Sequence, residues 1–275
     1  MRSPLLNYAI KNKEVIAGIS IVMFFLILCL ISFIYLPYSP IASTGPSFAP
    51  PSLKHLFGTT NIGQDVFSQW VYGTRSTLLV GFLTAALSTA IGLTVGVTSG
   101  FIRSLNEPLM RLVDIVMTLP ALPLLIVIAA FVKPSIFIVA FIIALLGWAG
   151  MARVIRSNIL SIKESSFVEV ALMSGVPKHK IMFVDLLKHV LPLVLAYSLF
   201  AVIGAILTEA SLDFIGVGPV TDYSWGAMIA YAQENGAIFV KAWWWFLPPG
   251  ISIAILSTGF GLIAYGMESF YNRTI

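Results

Sequence analysis

Apolar residues gather in six continuous runs, at 15–36, 77–98, 115–132, 134–152, 190–208 and 242–267, and none of these contains Lys, Arg, Asp or Glu. A bilayer core of about 30 Å takes roughly 20 apolar residues in helical form, so each run is long enough to cross it. The runs do not alternate at period two, which predicts helices rather than barrel strands. The first run spans 22 residues. That exceeds the roughly 7–15 residues of a signal-peptide core, and no small-x-small cleavage site follows, so it reads as a retained anchor. The expected fold class is an all-α polytopic membrane protein with six transmembrane helices.

Composition agrees with the pattern. Sixteen Lys+Arg and 12 Asp+Glu make 10% of 275 residues, and mean hydropathy is +0.95. A soluble domain carries about 25% charge, so a soluble fold, a disordered chain and a disulfide scaffold are excluded. Cys29 is the single cysteine and forms no intrachain disulfide. A net charge of +4 would suggest nucleic acid in a soluble chain. Here the basic residues follow topology. With the N-terminus inside, the inner segments hold twelve of them (Arg2, Lys11, Lys13, Arg103, Arg111, Arg153, Arg156, Lys163, Lys178, Lys180, Lys188 and Arg273) and the outer ones four (Lys54, Arg75, Lys133 and Lys241). The positive-inside rule then places both termini in the cytoplasm and leaves no nucleic-acid patch.

Two connections are long. The outer stretch 37–76 has five prolines up to Pro51. It then places Val66, Phe67, Trp70 and Val71 on one helical face, opposite Asp65, Ser68 and Gln69, a pattern for an interfacial amphipathic helix. The inner stretch 153–189 is the most charged part of the chain. The chain has no G-x-x-x-x-G-K-[ST], no Gly-Lys pair and no H-E-x-x-H. No P-loop or zinc helix is therefore expected. His55, His179 and His189 fall in loops on opposite sides and do not converge on a metal. Apolar runs free of ionisable groups argue against an ion-coupled transporter working alone.

Within the inner stretch, Ser166 and Glu169 have capping-box spacing ahead of a short helix at 167–174. Gly175 stands where a left-handed C′ residue belongs, and Pro177 suits the first turn of a second helix running to about His189. Two readings are open. Glu169 only caps and Gly175 only turns, or the segment docks on a partner. Phe167, Val168, Val170, Leu172 and Met173 are more apolar than a free loop needs, while Ala171 and Gly175 allow close approach.

The segment F-V-E-V-A-L-M-S-G with Leu191-Pro192 resembles the cytoplasmic E-A-A-x-x-x-G loop of ABC importer permeases, dipeptide/oligopeptide/nickel class. The likeness continues in order: H-L-F-G-T-T-N-I-G-Q-D-V-F-S at 55–68, Y-G-T-R-S-T-L-L-V-G at 72–81, L-M-R-L-V-D-I at 109–115, G-W-A-G-M-A-R at 147–153, L-T-E-A-S-L-D-F-I-G-V-G at 207–218 and S-W-G-A-M at 224–228. Val170, Thr60 and Gln64 depart from the commoner residues, and the spacing from Gly175 to Leu191-Pro192 is four residues longer than usual.

The resemblance implies a type I ABC importer permease fold. A tail, first span and start of the outer loop occupy 1–54. A permease core at 55–275 follows, with the interfacial helix, five spans and the coupling loop 153–189. It implies ATPase docking through Ser166, Phe167, Glu169, Ala171, Met173 and Gly175. The implied partners are a second homologous permease, two ATP-binding subunits, an extracellular substrate-binding protein and membrane lipid. This chain needs no cofactor and is not an enzyme; ATP and Mg are held by the partner ATPases. Dipeptides, oligopeptides, nickel complexes and oligosaccharides are all cargo of such systems. An ion-coupled secondary transporter and a non-transporting scaffold are the alternatives.

Other expectations concern packing and charge. Ser88, Gly92, Gly96 and Gly100 recur every fourth residue, for plain helix packing or for rocking against a partner subunit. Pro120, Pro123, Pro248 and Pro249 should bend their helices. Arg111 pairs with Asp114. Arg153 and Arg156 meet head groups or carboxylates. Trp243, Trp244 and Trp245 form an interfacial belt. Glu209, Asp213, Asp222 and Glu234 make the last outer loop acidic, either to favour cationic substrates or a basic patch on the binding protein, or, more simply, as solvated loop charge.

Overall fold

The computed structural model describes residues 4–132, 135–218 and 223–274. Their regular elements are helices, and two isolated β-bridges, Ser43 with Gln64 and Thr59 with Asp65, hold the 35–65 loop together. A short α1 (Pro4–Lys11) leads into α2 (Lys13–Ile34), whose first turn is capped by the Asn12 side chain accepting from the amides of Glu14 and Val15. Asp65 caps α3 (Val66–Phe101) through the Ser68 amide at 2.8 Å.

At 1.5 Å per residue the 36 residues of α3 are about 54 Å long, well beyond a bilayer core. The expected separate interfacial helix is therefore its first turns. No proline lies between Val71 and Thr77, and the polar side assigned to it is buried. Ser68 accepts from the Tyr38 amide, and Gln69 donates to Pro40 O. The folded loop, not water, satisfies these groups.

The third apolar run is broken. α4 (Arg103–Thr118) ends at Leu119 in extended backbone, and α5 (Ala121–Phe131) starts after Pro120 with its axis turned by 82°. Pro120 has no N–H to continue the ladder and disfavours helix at the residue before it. Pro123 sits in the first turn of α5, where a missing donor is harmless. Next come α6 (Ile136–Lys163), capped by Ser135, and the eight-residue α7 (Ser166–Met173). α8 (Lys178–Phe214) is wound as a π-helix from Ile181 to Leu186 and contains Pro192. Ser224 caps α9 (Trp225–Glu234), and α10 (Trp243–Thr274) closes the chain with Pro248 and Pro249 inside it.

Five helices, α2, α3, α6, α8 and α10, are long and apolar enough to cross a membrane, or six if α4 and α5 form one span. Phe24, Phe33, Phe137 and Phe141 are exposed on the bundle's flanks. The interior relies on small residues, the pattern of helices that associate in lipid. α2 crosses α10 with backbones nearly touching, since a Cβ on Gly18 would fall 2.6 Å from Gly259 O. The two chain ends meet, with the Tyr8 and Phe270 rings 5.2 Å apart. Nearby, Tyr271 donates to Asn158 Oδ1 at 2.7 Å and Lys163 Nζ donates to Phe101 O. We term this the terminal end. At the opposite, loop end, residues 35–65 and α9 pack over Trp70, Trp225 and Trp245.

Candidate functional site

α7 lies at the terminal end, one tight turn after α6. Its N-cap is Ser165, whose hydroxyl donates back to Ile162 O instead of capping. The expected capping box with Ser166 at N-cap is thus displaced. α6 runs on to Lys163, the chain turns at Glu164–Ser165, and Ser166 and Glu169 stand one position further into the helix. At the other end Gly175 has φ +74, its N–H donates to Leu172 O, and the Val176 N–H donates to Ala171 O. This pair of bonds is a Schellman closure.

One side of α7 is anchored. Val168 is buried among Val97, Phe101, Ile155, Ile159 and Ile181, with Ala171 half-buried beside it. At about 100° per residue the opposite side carries Ser166, Val170 and Met173, flanked by Glu169. Met173 is 82% exposed and Val170 61%. Phe167 lies on the shoulder, stacked on His189 of α8 with centroids 4.8 Å apart. The six predicted residues therefore divide. Ser166, Glu169 and Met173 face outward, Phe167 braces the helix, Ala171 turns inward and Gly175 ends it. Val170, absent from that set, is one of the most exposed apolar groups of the face.

The small residues of α3 meet α6 one by one. The Ser88 hydroxyl reaches Ala144 O at 3.4 Å. A Cβ on Gly92, Gly96 or Gly100 would approach Trp148 O, Ala152 O or Ile159 to 2.8–2.9 Å. Beside this contact a cavity of about 380 Å³ opens between α3, α5, α6 and α8, with Thr84, Leu125, Gly150, Tyr197, Gly204 and Thr208 on its wall.

Charged groups are placed differently from expectation. Arg111 pairs with Glu107 one turn back, and Asp114 takes Arg153 of α6. Both the i−4 and the i+3 carboxylate are within reach of Arg111 on the helix face, and Asp114 is taken by Arg153. Arg156 donates to Asn106 Oδ1. Only Trp243 of the three tryptophans is exposed; Trp244 donates to Thr59 O, and Trp245 is in the core. Glu234 is exposed, as expected, and Asp222 lies outside the described residues.

Glu209 and Asp213 are not solvated, with exposures of 3% and 5%. α8 carries them under α9, where Asp213 accepts from the Ser224 hydroxyl. Asp213, Tyr231 and Glu234 share a smaller cavity of about 160 Å³. Burial first, then the neighbouring Tyr223, Asp213 and Glu234, raises the Tyr231 phenol above its ordinary pKa. Among the described residues, no group of three His, Cys, Asp or Glu could hold a metal.

Residues 88–275 match the family of binding-protein-dependent transport system inner membrane components. The chain belongs to this family. Its relatives agree along most of its length. It is 31% identical over 262 residues to the dipeptide transport system permease protein DppC of Alkalihalophilus pseudofirmus, covering 94% of this chain and 85% of that one. A Brucella suis biovar 1 protein provisionally described as a peptide transport system permease is 34% identical over 222 residues, 80% of this chain and 74% of its own. A second Brucella suis protein, provisionally a peptide permease, is 34% identical over 259 residues, 92% and 85% of the two chains. The permease is thus a multi-pass inner-membrane component of an ABC-type transport system that works with a substrate-binding protein. At the terminal end, α7 leaves Val170 and Met173 exposed on its outward face.

Proposed function

We propose that this permease is one of two related transmembrane subunits of an ATP-driven importer for peptides or similar small solutes, and that α7 is its coupling helix. The observation that carries the reading is the outward face of α7. It keeps Val170 and Met173 in the open while Val168 and the Phe167–His189 stack hold the helix to α6 and α8. A groove on each of two ATP-binding subunits would take that face, with ATP and Mg held there. Closure of the ATPases would then pull on α6 and α8 together.

Six spans with both ends cytoplasmic complete the reading. The meeting of α1 and α10 at one end supports an even number of crossings, with α4 and α5 counted together as the sixth. Lys163, Lys178, Lys180 and Lys188 cluster at the same end as α7, which the positive-inside rule assigns to the cytoplasm. The folded 35–65 loop and α9 then face the binding protein. The peptide class rests on what the relatives are named for transporting.

The test is reconstitution of the permease with its partner permease, ATPases and binding protein in proteoliposomes. ATP should drive accumulation of labelled dipeptide, and Met173→Arg should abolish it together with binding-protein-stimulated hydrolysis. Uptake that persists without the ATPases and collapses with an uncoupler would overturn the reading.

A further inference from the structure

Two sets of glycines on neighbouring helices stand in opposite circumstances. Gly92, Gly96 and Gly100 are forced by contact, because any Cβ there would overlap α6. Gly150 of α6 and Gly204 of α8 have nothing within 4 Å of where a Cβ would sit, and neither has the positive φ that demands glycine. Glycine in a helix interior is less stable than alanine by about 1 kcal/mol, so two positions carry that penalty with no packing return inside the chain.

Both open onto the 380 Å³ cavity between α3, α5, α6 and α8. The cavity lies near mid-length of α3 and α6, level with Thr84 and Gly150. Its wall is apolar apart from hydroxyls, and no charged side chain lines it. The Thr84 hydroxyl already donates to Ala140 O, so the wall presents few free donors. One side is α5, the half of the broken span swung away by 82°.

We infer that Gly150 and Gly204 set the bore of this chain's share of the substrate path, so that passage is graded by solute size and indifferent to the sign of solute charge. This rests on the permease reading above. A side chain at either position fills space that none of the described residues occupies, and a wall without charge cannot sort lysyl from glutamyl peptides.

The experiment uses the full transporter in proteoliposomes, with dialanine, tetra-alanine, diphenylalanine, alanyl-lysine and alanyl-glutamate as probes. Each uptake rate is read as variant over wild type. Gly150→Leu and Gly204→Leu should keep dialanine within about twofold and lose tetra-alanine and diphenylalanine by about tenfold or more, the discrimination a few methylenes give in a tight apolar site. The lysyl and glutamyl dipeptides should fall by the same factor as each other, with stimulated ATP hydrolysis retained. As a check that does not depend on transport, Gly204→Cys in a Cys29→Ser background should react with a membrane-impermeant maleimide. Equal loss at every size, no loss at any size, an unreactive thiol, or loss of the partner permease from the purified complex would each overturn the inference. The last outcome would mean that the glycines seat a partner helix. A wild-type complex without ATP-dependent uptake would instead overturn the permease reading, and this inference with it.

Discussion

The phenyl ring of Phe167 lies nearly parallel to the imidazole of His189, with centroids 4.8 Å apart and planes 13° from coplanar. This stack joins the shoulder of α7 to the first turns of α8, whereas Val168 fixes the buried side. An aromatic pair contributes about 0.5–1.5 kcal/mol beyond burial, so its loss should reduce the population of correctly presented α7 by roughly two- to tenfold. His189→Ala is expected to lower binding-protein-stimulated ATP hydrolysis by that factor while the complex still co-purifies. His189→Phe, which restores a ring, should recover most of it. Equal activity in the two variants would remove the stack from the coupling route.

Gly96 and Gly204 make a matched pair for stability. A methyl on Gly96 would meet Ala152 O and Ile155 Cβ at 2.8 Å, and the helices would have to part. Overpacking of that kind typically destabilises by about 1–3 kcal/mol. A methyl on Gly204 meets nothing, and the helix gains up to about 1 kcal/mol from alanine. Thermal unfolding in detergent should show Gly96→Ala below wild type and Gly204→Ala at or above it. The reverse order would contradict the α3–α6 contact as described.

These two glycines also mark how far the sequence could be read. Apolar runs located all the long helices, because a run of some 20 uncharged residues has few other fates. What they could not show is which side of a helix a glycine faces, and so Gly96 and Gly204 look alike in the sequence. The i, i+4 repeat of Ser88, Gly92, Gly96 and Gly100 was legible because contact along a straight helix is periodic. The wall of a cavity drawn from four helices is not. Glu209 and Asp213 were misjudged for a related reason. Their surroundings are made by α9 folding back, more than ten residues away in the chain. The Leu119-Pro120 break was half visible, since proline predicts a bend but its angle depends on what α5 packs against.

Asp65 serves two elements at once. One carboxylate oxygen caps α3 at the Ser68 amide, and the other meets His55 Nδ1 at 2.9 Å, with both residues buried. Removing an N-cap costs about 0.5–2 kcal/mol, and leaving a buried partner unsatisfied about 1–3 kcal/mol. Asp65→Ala is therefore expected to loosen the 35–65 loop. Hydrogen exchange should be faster at the Thr60 and Val66 amides, which bond to Gln64 O and Gly58 O. Asp65→Asn keeps an acceptor for the cap and should lose less than half as much protection. Unchanged exchange in Asp65→Ala would show that the loop holds without this residue.

Gly175 separates backbone strain from steric block at the end of α7. Its φ of +74 is the left-handed region, which costs an ordinary L-residue roughly 1–2 kcal/mol, whereas Asn tolerates it. Among the described residues no atom lies within 4 Å of a Cβ at this position, so a replacement has room there. Three substitutions then give different answers. Gly175→Asn keeps the Schellman bonds and adds little bulk, and should retain most stimulated hydrolysis. Gly175→Val, β-branched and strained, should fray α7 and lower hydrolysis several-fold while the rest of the bundle melts normally. Gly175→Arg adds a long cation beside the Val170 and Met173 face and should abolish both hydrolysis and co-purification with the ATPases. If Gly175→Arg behaved like Gly175→Asn, the surface around Gly175 would be open to solvent in the assembled transporter, and α7 could not be the element that enters the ATPase.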